Sequence, residues 1–388
     1  MKQLSKALFL ACLLPGAACS APYLPKEDGV VLERLPLRRA DPASAELRQL
    51  RAALAVSPRD AAAAAGLARR YFELAMAEGD PRYVGYAVAA LRPWDGATDA
   101  PPEILFTRAL LRQYRHDFAG ALEDLAHAAR ADPESALPRA WRAAIYMVQA
   151  DYAAARRECE ALGPLASELL AAGCSAYVEA ATGSTRSAYR RLSDALERRP
   201  DAAAESKLWV LTRLAEMAWR LGETSSAERH FRDALALGVA DNFLLFTYAD
   251  FLLEHGRAKE VLSLLQGGER SDTLLLRLAL AARALKLPVA ERYARALGER
   301  FAAAALRGEK LHLQEEARYL LDLKGDAAGA LAAARENWNR QREPRDAAVL
   351  LEAALAARDP KAAEPVLRWL EESGFESPRL RRLAAQLK

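Results

Sequence analysis

The chain has 388 residues, of which 52% are hydrophobic but only 7% aromatic, and its formal net charge is +3. That length can bury a large core, while so small a charge carries neither the footprint of a nucleic-acid binder nor a surface for anionic membranes. Alanine, leucine, arginine and glutamate dominate and β-branched residues are scarce, so an all-α protein is expected.

Residues 1–18 read as an export signal. Lys2 and Lys6 make the basic start, Ala7 to Leu14 a short apolar run, and Pro15-Gly16-Ala17-Ala18 a small-residue exit. The run is too short to span a bilayer. Cys19 follows, and Leu14 to Cys19 resembles a bacterial lipobox, with Gly16 where such boxes carry leucine. Two readings stay open: a lipid on Cys19, or plain cleavage after Ala18 or Ser20. Either takes the mature protein out of a bacterial cytoplasm, into the periplasm or onto a membrane through a lipid. Residues 19–42 are proline-rich and read as an extended tether.

From residue 43 onward the chain repeats. A degenerate first helix closes at Pro58, and a pair follows with Leu67, Ala68 and Tyr71, then Tyr86, Ala87 and Leu91. Residues 92–101 read as an irregular loop. The clean copies come next. Ala109, Asp117-Phe118, Ala121, Leu125, Ala128 and Pro133 are followed 34 residues on by Ala143, Asp151-Tyr152, Ala155 and Cys159. Further copies carry Ala176, Gly183, Ala188 and Leu192, then Ala215, Gly222, Ala227, Phe231 and Ala234, then Ala249, Gly256, Val261 and Leu265. Residues 270–305 stay helical but lose register, and Pro288 stands at a helix start. The pattern returns at Gly325 to Ala330, a last pair spans 345–370, and 376–388 reads as a basic C-terminal capping helix. Small residues recur where two helices must approach closely, and each unit has an apolar face that only a neighbour can cover.

These residues resemble the tetratricopeptide repeat, clearly over five units and faintly over three within 43–375. The resemblance implies a right-handed α-solenoid of helix-turn-helix repeats whose first helices line a concave groove, a role in binding a protein or peptide, and no catalysis. On the family's pattern the groove-facing positions are Phe106, Gln113 and Tyr114, then Met147, then Tyr177. They continue with Trp209, Thr212, Glu216, Trp219 and Arg220, and end with Phe243, Phe246 and Asp250. Aromatics with a few charges suit a peptide surface; the same aromatics could simply pack between repeats. No set of basic residues that would grip a peptide's terminal carboxylate is visible.

Cys159 lies on a second helix and Cys174 on the next first helix, antiparallel neighbours joined through Gly163-Pro164. In an oxidising compartment they form a disulfide or remain two buried thiols. The five histidines, 116, 127, 230, 255 and 312, show no metal-ligand spacing, and His116 and His255 sit at turns where solvation is the ordinary outcome. No phosphate loop, nucleotide fingerprint or nucleophile elbow is present, so no cofactor and no metal is expected. The reading is a non-enzymatic interaction scaffold of the bacterial cell envelope. Alternatives are an assembly or secretion factor for outer-membrane or polysaccharide-export machinery and, less well supported, a glycan-active enzyme using Glu216 and Asp250.

Overall fold

The computed structural model describes residues 42–387; the export signal, Cys19 and all of the tether but Pro42 lie outside them. Two compact units divide between Glu46 and Leu47. Of the first, only the opening of α1 (Pro42–Val56) is described; the second carries all the later helices. Every regular element among the described residues is helical.

The helices come in pairs. In order they are α2 (Ala61–Glu78) and α3 (Arg82–Ala90), α4 (Pro102–Tyr114) and α5 (Phe118–Ala131), α6 (Ala136–Val148) and α7 (Tyr152–Leu162), α8 (Glu168–Ala181) and α9 (Thr185–Arg198). Next come α10 (Ala204–Arg220) and α11 (Thr224–Ala236), α12 (Asn242–Glu254) and α13 (Ala258–Leu264), α14 (Asp272–Ala284) and α15 (Val289–Leu306). The stretch closes with α16 (Leu313–Arg318), which widens into a π-helical turn over Tyr319–Lys324, then α17 (Ala327–Trp338), α18 (Pro344–Ala357), α19 (Glu364–Ser373) and α20 (Pro378–Ala385). Residues 92–101, read as a loop, begin with a 3-10 turn at Arg92–Trp94, and Arg108 fixes the segment by donating to the carbonyls of Trp94 and Ala97.

One local device makes most of the hairpins. Within two residues of the end of a first helix the chain takes a positive φ, at His116 (59°), Ala150 (59°), Gly183 (82°), Gly222 (77°), Gly256 (71°) and Gly325 (68°). Glycine is the residue that meets no steric penalty there. After His116, Ala150 and Gly325 comes an aspartate, Asp117, Asp151 or Asp326, whose carboxylate accepts from the third N–H of the second helix. The close approach behind the turn falls on the small residues: Ala109 and Ala121, Ala143 and Ala155, Ala215 and Ala227 are all buried. Gly173 shows why. A Cβ there would run into the indole of Trp209, so α8 and α10 meet at van der Waals distance.

A disulfide joins Cys159 on α7 to Cys174 on α8, with Cα atoms 5.5 Å apart. The two residues sit in a core shared with Trp338, Leu350, Trp369 and Phe375, nearly two hundred residues further on. This is where the structure departs from an open groove. The chain turns back, and its C-terminal helices pack onto the first helices of the central units. Arg342 donates its backbone N–H to Val148 (2.8 Å). Trp369 donates its indole N–H to the Tyr152 hydroxyl (3.0 Å), and the Glu376 carboxylate accepts from the Thr185 N–H (2.8 Å). Gly183 and Gly374, both left-handed, let two turns touch backbone to backbone. Nor is α20 an end cap alone: Leu380 is buried and Arg379 reaches Glu254 on α12 and Glu352 on α18. His116 is half-buried rather than solvated, stacked on Phe118 and bonded to Gln341; burial pushes its imidazole down to about 4.

Candidate functional site

Between the returning helices and the central first helices lies a cavity of about 510 Å³. One wall is built by α6, α7, α8, α10 and α12, which present Met147, Tyr152, Tyr177, Glu216, Trp219, Arg220, Phe246 and Asp250. The other is built by Arg318, Arg342, Glu343, Arg345, Phe375, Arg379 and Arg382. Arg213 of α10 lies at the seam, its guanidinium over the rings of Tyr177 (4.7 Å) and Phe243 (4.6 Å). Arg345 covers Phe243 (5.2 Å) and Phe246 (5.1 Å), and Arg220 stacks on Phe375 (4.5 Å). Guanidinium faces and aromatic faces attract through the ring quadrupole, most strongly where water is excluded.

Most of these charges are matched. Arg213 pairs with Glu216 at 2.8 Å, Arg345 with Glu343 at 2.5 Å and Arg379 with Glu254 at 3.3 Å. Asp250 is held twice, by Arg277 at 2.6 Å and Arg318 at 2.7 Å. Burial would raise the Asp250 carboxyl, but the two arginines outweigh it and hold the group far below the usual carboxylate range. Tyr177 moves the other way, pushed up to about 12 by burial. Arg220 has no carboxylate within reach of an ion pair among the described residues; its Nε is buried without a partner, and burial depresses its pKa. Among the described residues no group of three or more His, Cys, Asp or Glu side chains is placed to hold a metal ion, and no helix is long and apolar enough to cross a membrane.

Paired helices, stacked through alanine at a 34-residue interval and turned at left-handed residues, decide the architecture. The fold is a tetratricopeptide-type α-solenoid. No family model and no curated protein matches the chain. Solved structures similar to this solenoid include the hetero-tetramer Cut9-Hcn1 of the APC/C, at 13% identity and TM-score 0.49, covering 89% of this chain and 73% of that one. Yeast Tom70 is 12% identical at TM-score 0.45, covering 89% of this chain and 85% of its own. A tetratricopeptide repeat protein of Parabacteroides merdae is 12% identical at TM-score 0.30, covering 89% and 99%.

Of the groove positions read from the repeat pattern, this solenoid gathers Met147, Tyr177, Glu216, Trp219, Arg220, Phe246 and Asp250 around the cavity. Phe243 stands just behind, in contact with Phe246 (4.9 Å) and the two arginines. The others are elsewhere. Trp209 is taken up by the α8–α10 contact, and the Thr212 hydroxyl donates to the Leu208 carbonyl of its own helix. On α4, Phe106 packs in the core around Phe118, Tyr114 sits edge-on to Phe72, and Gln113 does not reach the cavity. Sequence reasoning reached Arg220 but missed the other arginines of the wall. Arg213 was within reach, three residues before Glu216 on the same helical face. Arg318, Arg342, Arg345 and Arg379 were not, because they arrive only through the turn of the chain back on itself. A basic set absent from any one unit is therefore present in the assembled wall.

Glu216 and Asp250 do share the cavity, as a carboxylate-based enzyme would need. Each is bonded to arginine, and Asp250 is held charged, the reverse of what a proton-donating carboxylate requires.

Proposed function

We propose that the chain is a non-enzymatic interaction scaffold of the bacterial cell envelope, exported by residues 1–18, that captures a segment of a partner protein in the cavity between the central first helices and the returning C-terminal helices. The observation that carries this is the cavity wall itself, where Tyr177, Trp219, Phe246 and Phe375 are interleaved with guanidiniums. Rigid aromatic faces give contact area at low entropic cost, and charged donors fix register. A cavity of about 510 Å³ falls among pockets that enclose a ligand of drug size. An extended segment therefore fits, and a folded domain does not.

A photo-crosslinking residue in place of Arg382, exposed on the wall, is expected to give one prominent adduct in intact cells. The same residue in place of Leu306, exposed elsewhere, should not give it. Thr224→Trp, which puts a large ring at an exposed wall position, should abolish the adduct with unchanged melting. Identical adducts from both sites, or an adduct indifferent to Thr224→Trp, would refute capture at this cavity. Export and anchoring are tested separately by fractionation: Cys19→Ser should release the protein from membranes if a lipid holds it.

A further inference from the structure

Four carboxylates stand on the cavity wall: Glu216, Asp250, Glu254 and Glu343. Each is taken by an arginine of the same wall, through the pairs Arg213–Glu216, Arg318–Asp250, Arg379–Glu254 and Arg345–Glu343. The wall carries three arginines more, Arg220, Arg342 and Arg382, and none of these has an ion pair among the described residues. Asp250 is shared with Arg277 as well, so it has nothing left for them.

Arg220 is the telling member. Its only polar contact among the described residues is a 3.3 Å bond from one terminal nitrogen to the Ala180 carbonyl, its Nε is buried and unpartnered, and Phe375 covers one face. Glu376, close enough to act on its charge, is committed to the Thr185 N–H. A second orphan nitrogen stands two turns earlier on α10, the Nε of Arg213, on a residue only 8% exposed. Leaving a guanidinium nitrogen buried and unbonded costs free energy that a bound acceptor returns. Arg342 anchors by its backbone to Val148, and its side chain has only a long bond to the Trp338 carbonyl, so its head is available.

We infer that the captured segment is acidic: it places aspartate or glutamate side chains on Arg220 and Arg342, with an aromatic or apolar residue between Tyr177 and Phe246. This rests on the capture site proposed above. A planar carboxylate meets the guanidinium fork with two parallel bonds, and the uncompensated charge steers such a segment in from solution.

The test uses short peptides acetylated and amidated at their ends, so that all charge comes from side chains: one alternating Glu or Asp with Phe, one with Gln and Asn in their place. Fluorescence anisotropy on the exported chain should find binding of the acidic peptide that weakens as salt rises. The Gln/Asn peptide should bind roughly tenfold or more weakly. Arg220→Gln should cost a similar factor, and Arg342→Gln, on an exposed side chain whose loss cannot unfold the repeat, should cost severalfold. Equal affinity for both peptides, or variants that melt and bind like the parent, would overturn the inference. So would displacement of the peptide by free glutarate at matched concentration, which would assign the site to a small organic acid. If acidic peptides show no preference while the Arg382 crosslink persists in the Arg220→Gln, Arg342→Gln variant, the acidic class falls and partner capture stands; with neither peptide binding nor adduct, both fall.

Discussion

Asp250→Asn is the substitution whose effect can be worked out most fully. The carboxylate bridges three helices: it accepts from Arg277 of α14 at 3.1 and 2.6 Å and from Arg318 of α16 at 2.7 Å. Arg277 is fully buried, and Arg318 has 17% of its side chain exposed. An asparagine keeps one accepting oxygen and loses the charge, leaving the two cations with one longer ion pair each, Arg277 with Glu315 at 3.4 Å and Arg318 with Asp322 at 3.7 Å. Orphaning a buried charge costs about 3–5 kcal/mol; the retained oxygen, Glu315 and Asp322 place this case near the lower end. Urea unfolding at neutral pH should show the midpoint fall with the slope unchanged. Arg318→Met should cost less, since Asp250 would keep Arg277. The pH dependence has a definite sign. A carboxyl depressed in the folded state contributes stability that is whole above the unfolded value of about 3.9 and is lost as pH falls toward the native one, so wild type and variant should converge only in acid. A loss below about 1 kcal/mol, or the same difference at all pH values, would refute the argument.

Three further outcomes are expected. Non-reducing peptide mass spectrometry should recover Cys159 linked to Cys174, and the Cys159→Ser, Cys174→Ser variant should lose about 3 kcal/mol for a closure of this length; two alkylatable thiols would count against it. Gly173→Ala should force the Trp209 indole aside and destabilise by about 1–3 kcal/mol, seen as a lower melting temperature with altered tryptophan fluorescence. Asp346 is buried, and burial first, then Glu343, hold its carboxyl above the usual range. It therefore keeps a proton that the unfolded chain releases from about pH 4 upward, and its contribution to stability declines over that range. Asp346→Asn retains an oxygen for the Glu343 N–H, so it should gain on wild type between about pH 5 and neutrality; parallel pH curves would contradict this.

How much of this was legible in the sequence depended on range. The pairing of helices was written in Ala215, Gly222, Ala227 and Phe231, because close approach and left-handed turns admit few residue types. His116 and Ala150 stand without glycine at two of the turns, which the spacing of the flanking alanines and the following aspartate marked instead. On the central first helices the spacing led to Tyr177, Trp219 and Phe246. It failed on α4, where Phe106 and Tyr114 have the groove phase but serve the core around Phe72 and Phe118. The cavity's second wall had no local signature at all. Arg345 and Arg379 look like ordinary surface charges on their own helices, and only the packing of Trp369 on Tyr152 brings them to the aromatics.

The contact of Gly183 with Gly374 has a consequence for how the chain folds. A linear stack can open from either end one unit at a time, since each repeat answers only to its neighbours. Here α18 to α20 answer to α6 through α9, so the last helices cannot leave without uncovering the disulfide-bearing core. Neighbour-only bookkeeping therefore fails, and the long loops that must close first make the final step slow. Unfolding of this chain should be closer to one transition than to a series, and removal of the last turn beyond Phe375 should be felt at Tyr152.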